Sequence, residues 1–72
     1  MSVREYRVTV EGELSDRVAA AFAGMTLTRT HGNTVLEGPV RDQAELQGIL
    51  QRVSSLGLTL LSAAAIDEPD GP

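Results

Sequence analysis

Seventy-two residues make one domain. Ten acids against six arginines, with no lysine, give a net charge of −4; this argues against a nucleic-acid partner, because such binding relies on Lys and Arg neutralising phosphates. There is no cysteine, which excludes disulfides, thiolate metal sites and cysteine nucleophiles and fits a cytoplasmic protein.

The N-terminal Met1-Ser2-Val3-Arg4-Glu5 is neither a basic nor an apolar targeting region. The first predicted strand runs from Val3 to Glu11. Tyr6, Val8 and Val10 share one face, and Glu5, Arg7, Thr9 and Glu11 the other. A period of two marks a half-buried strand. Gly12 ends it. A short helix is expected over Ser15 to Ala23, with Leu14, Val18, Ala21 and Phe22 as its apolar stripe. Ser15 suits the N-cap, Asp16 the positive end of the dipole, and Gly24 the closing turn.

A hairpin follows. Gly32-Asn33 is the predicted two-residue turn, pairing His31 with Thr34, Arg29 with Leu36 and Leu27 with Gly38. Met25, Leu27, Leu36 and Val40 then face one side, and Thr26, Thr28, Thr30, Val35 and Glu37 the other. The second helix is expected from Gln43 to Leu56. Asp42 and Glu45 have capping-box spacing, Leu46, Ile49, Leu50, Val53 and Leu56 form the buried stripe, and Gly57 stops it. The last strand, Leu58 to Ile66, is expected to turn Leu58, Leu60, Ala64 and Ile66 inward. The longest uncharged stretch, Val53 to Ile66, contains three serines, a threonine and a glycine, and is too short and polar to span a bilayer. Asp67 to Pro72 carries three acids, two prolines and a glycine, the composition of a disordered tail.

Strand, helix, hairpin, helix, strand is the order of the α+β ferredoxin-like βαββαβ two-layer sandwich. Its antiparallel sheet has the order 4-1-3-2, with both helices on one face. The domain is expected to occupy residues 1–66.

From Asn33 onward the text becomes specific. Thr34-Val35-Leu36-Glu37-Gly38-Pro39-Val40, Asp42-Gln43-Ala44-Glu45-Leu46 and Leu56-Gly57-Leu58-Thr59-Leu60-Leu61-Ser62 resemble a group of short bacterial hypothetical proteins with the pattern T-V-L-x-G-x-V-x-D-Q-A-x-L-x-G-x-L followed by L-G-L-x-L-x-S. Phe22-Ala23-Gly24-Met25-Thr26-Leu27 is similar to their F-x-G-(M/L)-x-(L/I) segment. The resemblance covers about two thirds of the chain and implies no activity. Gln47 stands where that group often has histidine, so no imidazole role carries over.

Chemistry that recurs on such scaffolds is mostly absent. Soft-metal carriage needs paired cysteines, and base stacking needs aromatics on the central strands, whereas this chain has one Tyr and one Phe. The loop after the first strand, Glu11-Gly12-Glu13-Leu14, is acidic and would repel an anion. His31 is a lone imidazole beside the turn; as a general base it would need a positioned carboxylate, and Glu37 belongs to the other side of the hairpin. Glu11, Glu13 and Asp16 read as a solvated helix start more readily than as a cation site. Gly48 sits mid-helix, at a cost of about 1 kcal/mol relative to alanine; it reads as simple tolerance or helix bending more readily than as close approach of another backbone in an oligomer.

No catalytic, cofactor-binding or metal-ligating residue is therefore assigned, and no enzyme or cofactor is expected. The remaining feature is the uncovered sheet face. It is expected to carry Val3, Thr26, Thr28, Thr30, Val35, Thr59, Leu61, Ala63 and Ala65 among Glu5, Arg7, Thr9, Glu11 and Glu37, more apolar than solvation requires. The interaction surface is assigned to Val35, Leu61, Ala63 and Thr28, and the partner is a second copy or another protein. The alternative is an ACT-like ligand-sensing domain, resting on Gly12 and the Gly38-Pro39 bend. A dimeric α+β barrel enzyme would have only His31, Arg29 and Tyr6 to work with.

Overall fold

The structure, a computed structural model, describes residues 3–66; the expected tail from Asp67 to Pro72 lies outside the described residues. In chain order the elements are β1 (Arg4–Glu11), a single helical turn α1 (Asp16–Ala19) continuing as a 3-10 turn (Ala20–Phe22), β2 (Thr26–Thr30), β3 (Asn33–Val40), α2 (Gln43–Ser55) and β4 (Leu60–Ala65). The strands form one antiparallel sheet in the order β2-β3-β1-β4. This is the order expected from the sequence, read from the opposite edge.

Alternation puts Val8, Val10, Leu36 and Val40 on one face of the sheet. There they meet Leu14 from the loop after β1, Phe22 from the 3-10 turn and Ile49 and Val53 from α2 to form the buried core. Both caps read from the sequence are present. Ser15 Oγ accepts the Val18 N–H (3.3 Å) and Asp42 Oδ1 accepts the Glu45 N–H (2.9 Å). The first helix is shorter than predicted, because its chain tightens to 3-10 geometry and the Met25 N–H returns to the Phe22 carbonyl (3.1 Å). The stripe of α2 is also narrower. Ile49 and Val53 are buried and Leu46 and Leu50 half-buried, while Leu56, the C-cap, is 42% exposed.

Two registers differ from expectation. The hairpin turn is His31-Gly32, one residue earlier than predicted, so Leu27 pairs with Leu36 and Arg29 with Thr34. Both turn residues have positive φ, +49° and +83°, as a type I′ turn requires. Moving the turn by one residue moves each partner by two, so every hairpin side chain keeps its predicted face.

In β4 the correction is larger. Tyr6 pairs with Ala65, Arg7 with Ala64, Val8 with Ala63 and Thr9 with Ser62, but Val10 pairs with Leu60. Leu61 is the extra residue of a β-bulge, and bulges reset alternation. Ala63 and Ala65, expected on the open face, therefore lie on the core side opposite Val8 and Tyr6. Ala64, expected inward, lies beside Arg7 on the open face.

Candidate interaction surface

The open face is built in rows across the sheet. Ala64, Arg7, Glu37 and Thr26 form one row, and Ser62, Thr9, Val35 and Thr28 the next. The Arg7 Nε donates to Glu37 Oε2 at 2.6 Å. With Arg7 more than half exposed, this ion pair is worth about 0–1 kcal/mol, yet it makes the middle of the face polar. Val35 is half-buried between Thr9 and the exposed Thr28. Of the four residues assigned from the sequence, Val35 and Thr28 are thus neighbours on the open face. Leu61 is the bulge residue at the sheet edge, 49% exposed, and Ala63 belongs to the opposite face.

Apolar exposure concentrates elsewhere. All six residues of β4 are exposed, on both faces of the strand. Leu60 (43%), Leu61 and Leu56, at the preceding helix end, are three of the four large exposed apolar side chains among the described residues. The core-side positions Ala63 and Ala65 are exposed as well, because the buried residues of α2 and the 3-10 turn gather over β1 and β3. Sequence reasoning missed this second exposed face of β4. The signal for it was present in Ser62-Ala63-Ala64-Ala65, side chains too small to anchor a core.

The loop after β1 is structural. Thr34 is fully buried; its Oγ1 accepts the Leu14 N–H (3.0 Å) and donates to the Gly12 carbonyl (2.7 Å). Arg29 donates from Nε to the Leu14 carbonyl (2.6 Å) and from its guanidinium to Asp16 Oδ1 (2.9 Å). Glu13 accepts the Gly32 N–H (3.1 Å). Two of the three clustered acids are thereby used within the fold, and among the described residues no three metal-ligating side chains converge. His31 is exposed and its Nδ1 lies 3.1 Å from the Thr30 hydroxyl, while Glu37 is paired with Arg7. Thr34 lies inward on β3 between the residues that flank the turn and Leu36, and an inward hydroxyl on an alternating strand is the sequence signal for such a clamp.

Two clefts open on the helix side. One, of about 390 Å³, is lined by Phe22, Gly24, Met25, Pro39, Gly48, Ile49, Arg52 and their neighbours. The other, of about 170 Å³, lies among Arg4, Tyr6, Val40, Arg41, Asp42, Gln43 and Leu46. Gly38, half of the bend that suggested ligand sensing, has a packing role: a Cβ there would stand 3.1 Å from Met25 Cγ. No helix of the described residues is long and apolar enough to cross a membrane.

A protein family described as a domain of unknown function, DUF8691, matches residues 5–64, and the chain belongs to it. No curated protein and no solved structure matches the chain. The expected kinship with an uncharacterised family holds, and it brings no chemistry with it.

Proposed function

We propose that this domain is a small non-enzymatic interaction module, a ferredoxin-like sandwich that self-associates or docks a protein partner through its sheet. One observation carries the reading: a whole strand, β4, is exposed on both faces and holds two of the three exposed leucines of the described residues, Leu60 and Leu61. Exposed apolar surface of this kind marks contact sites. Nothing comparable supports acid–base chemistry, since Arg29, Glu13 and Asp16 are bound up in loop contacts. Static light scattering at tens of micromolar tests it. The expected mass exceeds the 7.6 kDa of one chain and falls with Leu61→Glu. A single-chain mass that Leu61→Glu leaves unchanged argues against self-association.

The cleft of about 390 Å³ favours a second reading, ACT-like ligand sensing, because its volume falls within the range of small-molecule sites. Its lining sets the apolar Phe22, Met25 and Ile49 beside one cationic and one anionic group, Arg52 and Glu45. A thermal-shift screen of amino acids and nucleotides distinguishes the two readings: a hit abolished by Arg52→Ala supports sensing, and a screen without hits removes it.

A further inference from the structure

We infer that β4 is the contact strand of a homodimer, in which two copies pair their β4 edges antiparallel about a two-fold axis at Ala63. Two sheets of four strands become one of eight. This rests on the reading above and names its partner.

β4 is an edge strand: among the described residues the sheet order leaves one of its sides without a neighbour. An edge presents a row of backbone donors and acceptors, which natural sheets blunt with charges, proline, bulges or a cover; the bulge of β4 lies at Leu61, near one end, and leaves Ser62 to Ala65 in regular register. From Val53 to Ile66 there is no charged residue and no proline, and no side chain of β4 is buried. The opposite edge, β2, is different; Arg29 stands there, held by Asp16 and the Leu14 carbonyl.

The hydrogen-bond phase locates the axis. The Ile66 N–H donates to the Glu5 carbonyl (2.8 Å), so Ile66 directs its backbone groups toward β1. In an antiparallel ladder such residues alternate with ones facing away. Ala65 and Ala63 therefore aim their N–H and C=O groups out of the sheet. Pairing Ala63 with its own copy satisfies these groups reciprocally and brings Ala65 up to the bulge at Leu61 of the second chain, where the regular ladder ends.

A second copy is also the occupant that the chemistry fits. An isologous contact sets each side chain against itself or a two-fold mate. A chain of net charge −4 meets itself most easily where it carries no charge, and this is its longest uncharged stretch. Alanine is a poor strand former, so three consecutive alanines at an edge add little to the monomer, but they let another backbone and its side chains approach on both faces. A standard interface buries about 800 Å² per partner. A six-residue edge falls short of that, which places the dimer among the weak, concentration-dependent ones.

Sedimentation equilibrium of the full chain from micromolar to hundreds of micromolar tests this. The expected result is a reversible shift from 7.6 kDa to twice that mass. Ala63→Glu and Ala63→Lys are each expected to weaken association at least tenfold, because like charges then face each other across the axis. An equimolar mixture of the two is expected to restore a dimer containing one of each. Circular dichroism checks that both variants fold, and Thr28→Glu, on the open face, is expected to remain dimeric. A native chain that stays monomeric throughout overturns the inference, as does a dimer unaffected by either Ala63 variant. If Thr28→Glu alone dissociates the dimer, β4 pairing is overturned while sheet-mediated self-association stands.

Discussion

β3 and β4 both pair with β1, yet they have opposite fates. β3 buries Thr34, Leu36, Gly38 and Val40 in strict alternation, whereas β4 buries nothing. The difference is cover. The buried side chains of α2 and the 3-10 turn close over the β1–β3 half, and β4 hangs at the edge, joined by its ladder to β1. A small domain with one core can thus be rigid on one side and leave a strand available on the other. Substitutions in β3 are expected to unfold the chain, while those in β4 are expected to change what it touches.

The largest expected effect is at Leu36, fully buried in the middle of β3. Leu36→Ala is expected to cost about 2–5 kcal/mol, a large part of the stability of a domain this small. Urea denaturation measures it. Ala63→Val, on the other flank of β1, is expected to change stability by less than about 0.5 kcal/mol, as exposed positions do. Equal losses at the two sites would remove the contrast between the strands.

Next comes Thr34. Thr34→Val keeps the shape but leaves the Leu14 N–H and the Gly12 carbonyl without the partners they have at 3.0 and 2.7 Å. An unsatisfied buried group costs about 1–3 kcal/mol. The loss is expected to appear as a lower Tm, together with faster amide exchange at Leu14. Unchanged exchange there would mean that the loop is held by Arg29 and Glu13 instead.

This clamp also shows what could be read from the sequence. The element order and sheet order were legible because Tyr6-Arg7-Val8-Thr9-Val10 alternates cleanly and Asp42 with Glu45 marks a helix start. The hairpin turn was misplaced because Gly32-Asn33 is a good turn pair by residue type, whereas the fold uses His31-Gly32 and accepts a histidine at positive φ. Side-chain faces survived, since the error was an even shift. In Leu60-Leu61-Ser62-Ala63-Ala64-Ala65 the pattern carries no phase. Two adjacent leucines compete for one face and the alanines are indifferent, so the bulge at Leu61 had no signature. Val35 and Thr28 lie on the open face, as their alternation indicates, while that bulge turns Ala63 to the core side.

A smaller effect of opposite sign is expected at Gly48. A Cβ built there meets nothing within 4 Å, so the packing of this chain does not require glycine at that point. Gly48→Ala is expected to raise stability by about 1 kcal/mol through helix propensity, seen as a higher Tm. The residue lines the larger cleft. A higher Tm with unchanged association would separate that cleft from the β4 edge as a place of contact. A lower Tm would mean that the helix is bent or crowded at this position.

The smallest expected effect is electrostatic and sits at the start of α2. Glu45 Oε1 accepts the Arg41 backbone N–H (2.7 Å), and its Oε2 accepts from the Arg41 guanidinium (3.3 Å). These bonds, the backbone one foremost, hold the Glu45 carboxyl below its ordinary pKa. A carboxylate whose pKa is depressed by folding adds stability above its unfolded value, near 4.3, and loses that contribution as pH falls through the folded value. Glu45→Gln is therefore expected to lower the Tm slightly at neutral pH, and the gap to the native chain is expected to close in acid. Melting curves at neutral pH and at a pH below both values measure it. Because the pair lies at the surface, added salt is expected to narrow the neutral-pH gap too. A gap that persists unchanged in acid would mean that Glu45 does not act through its charge.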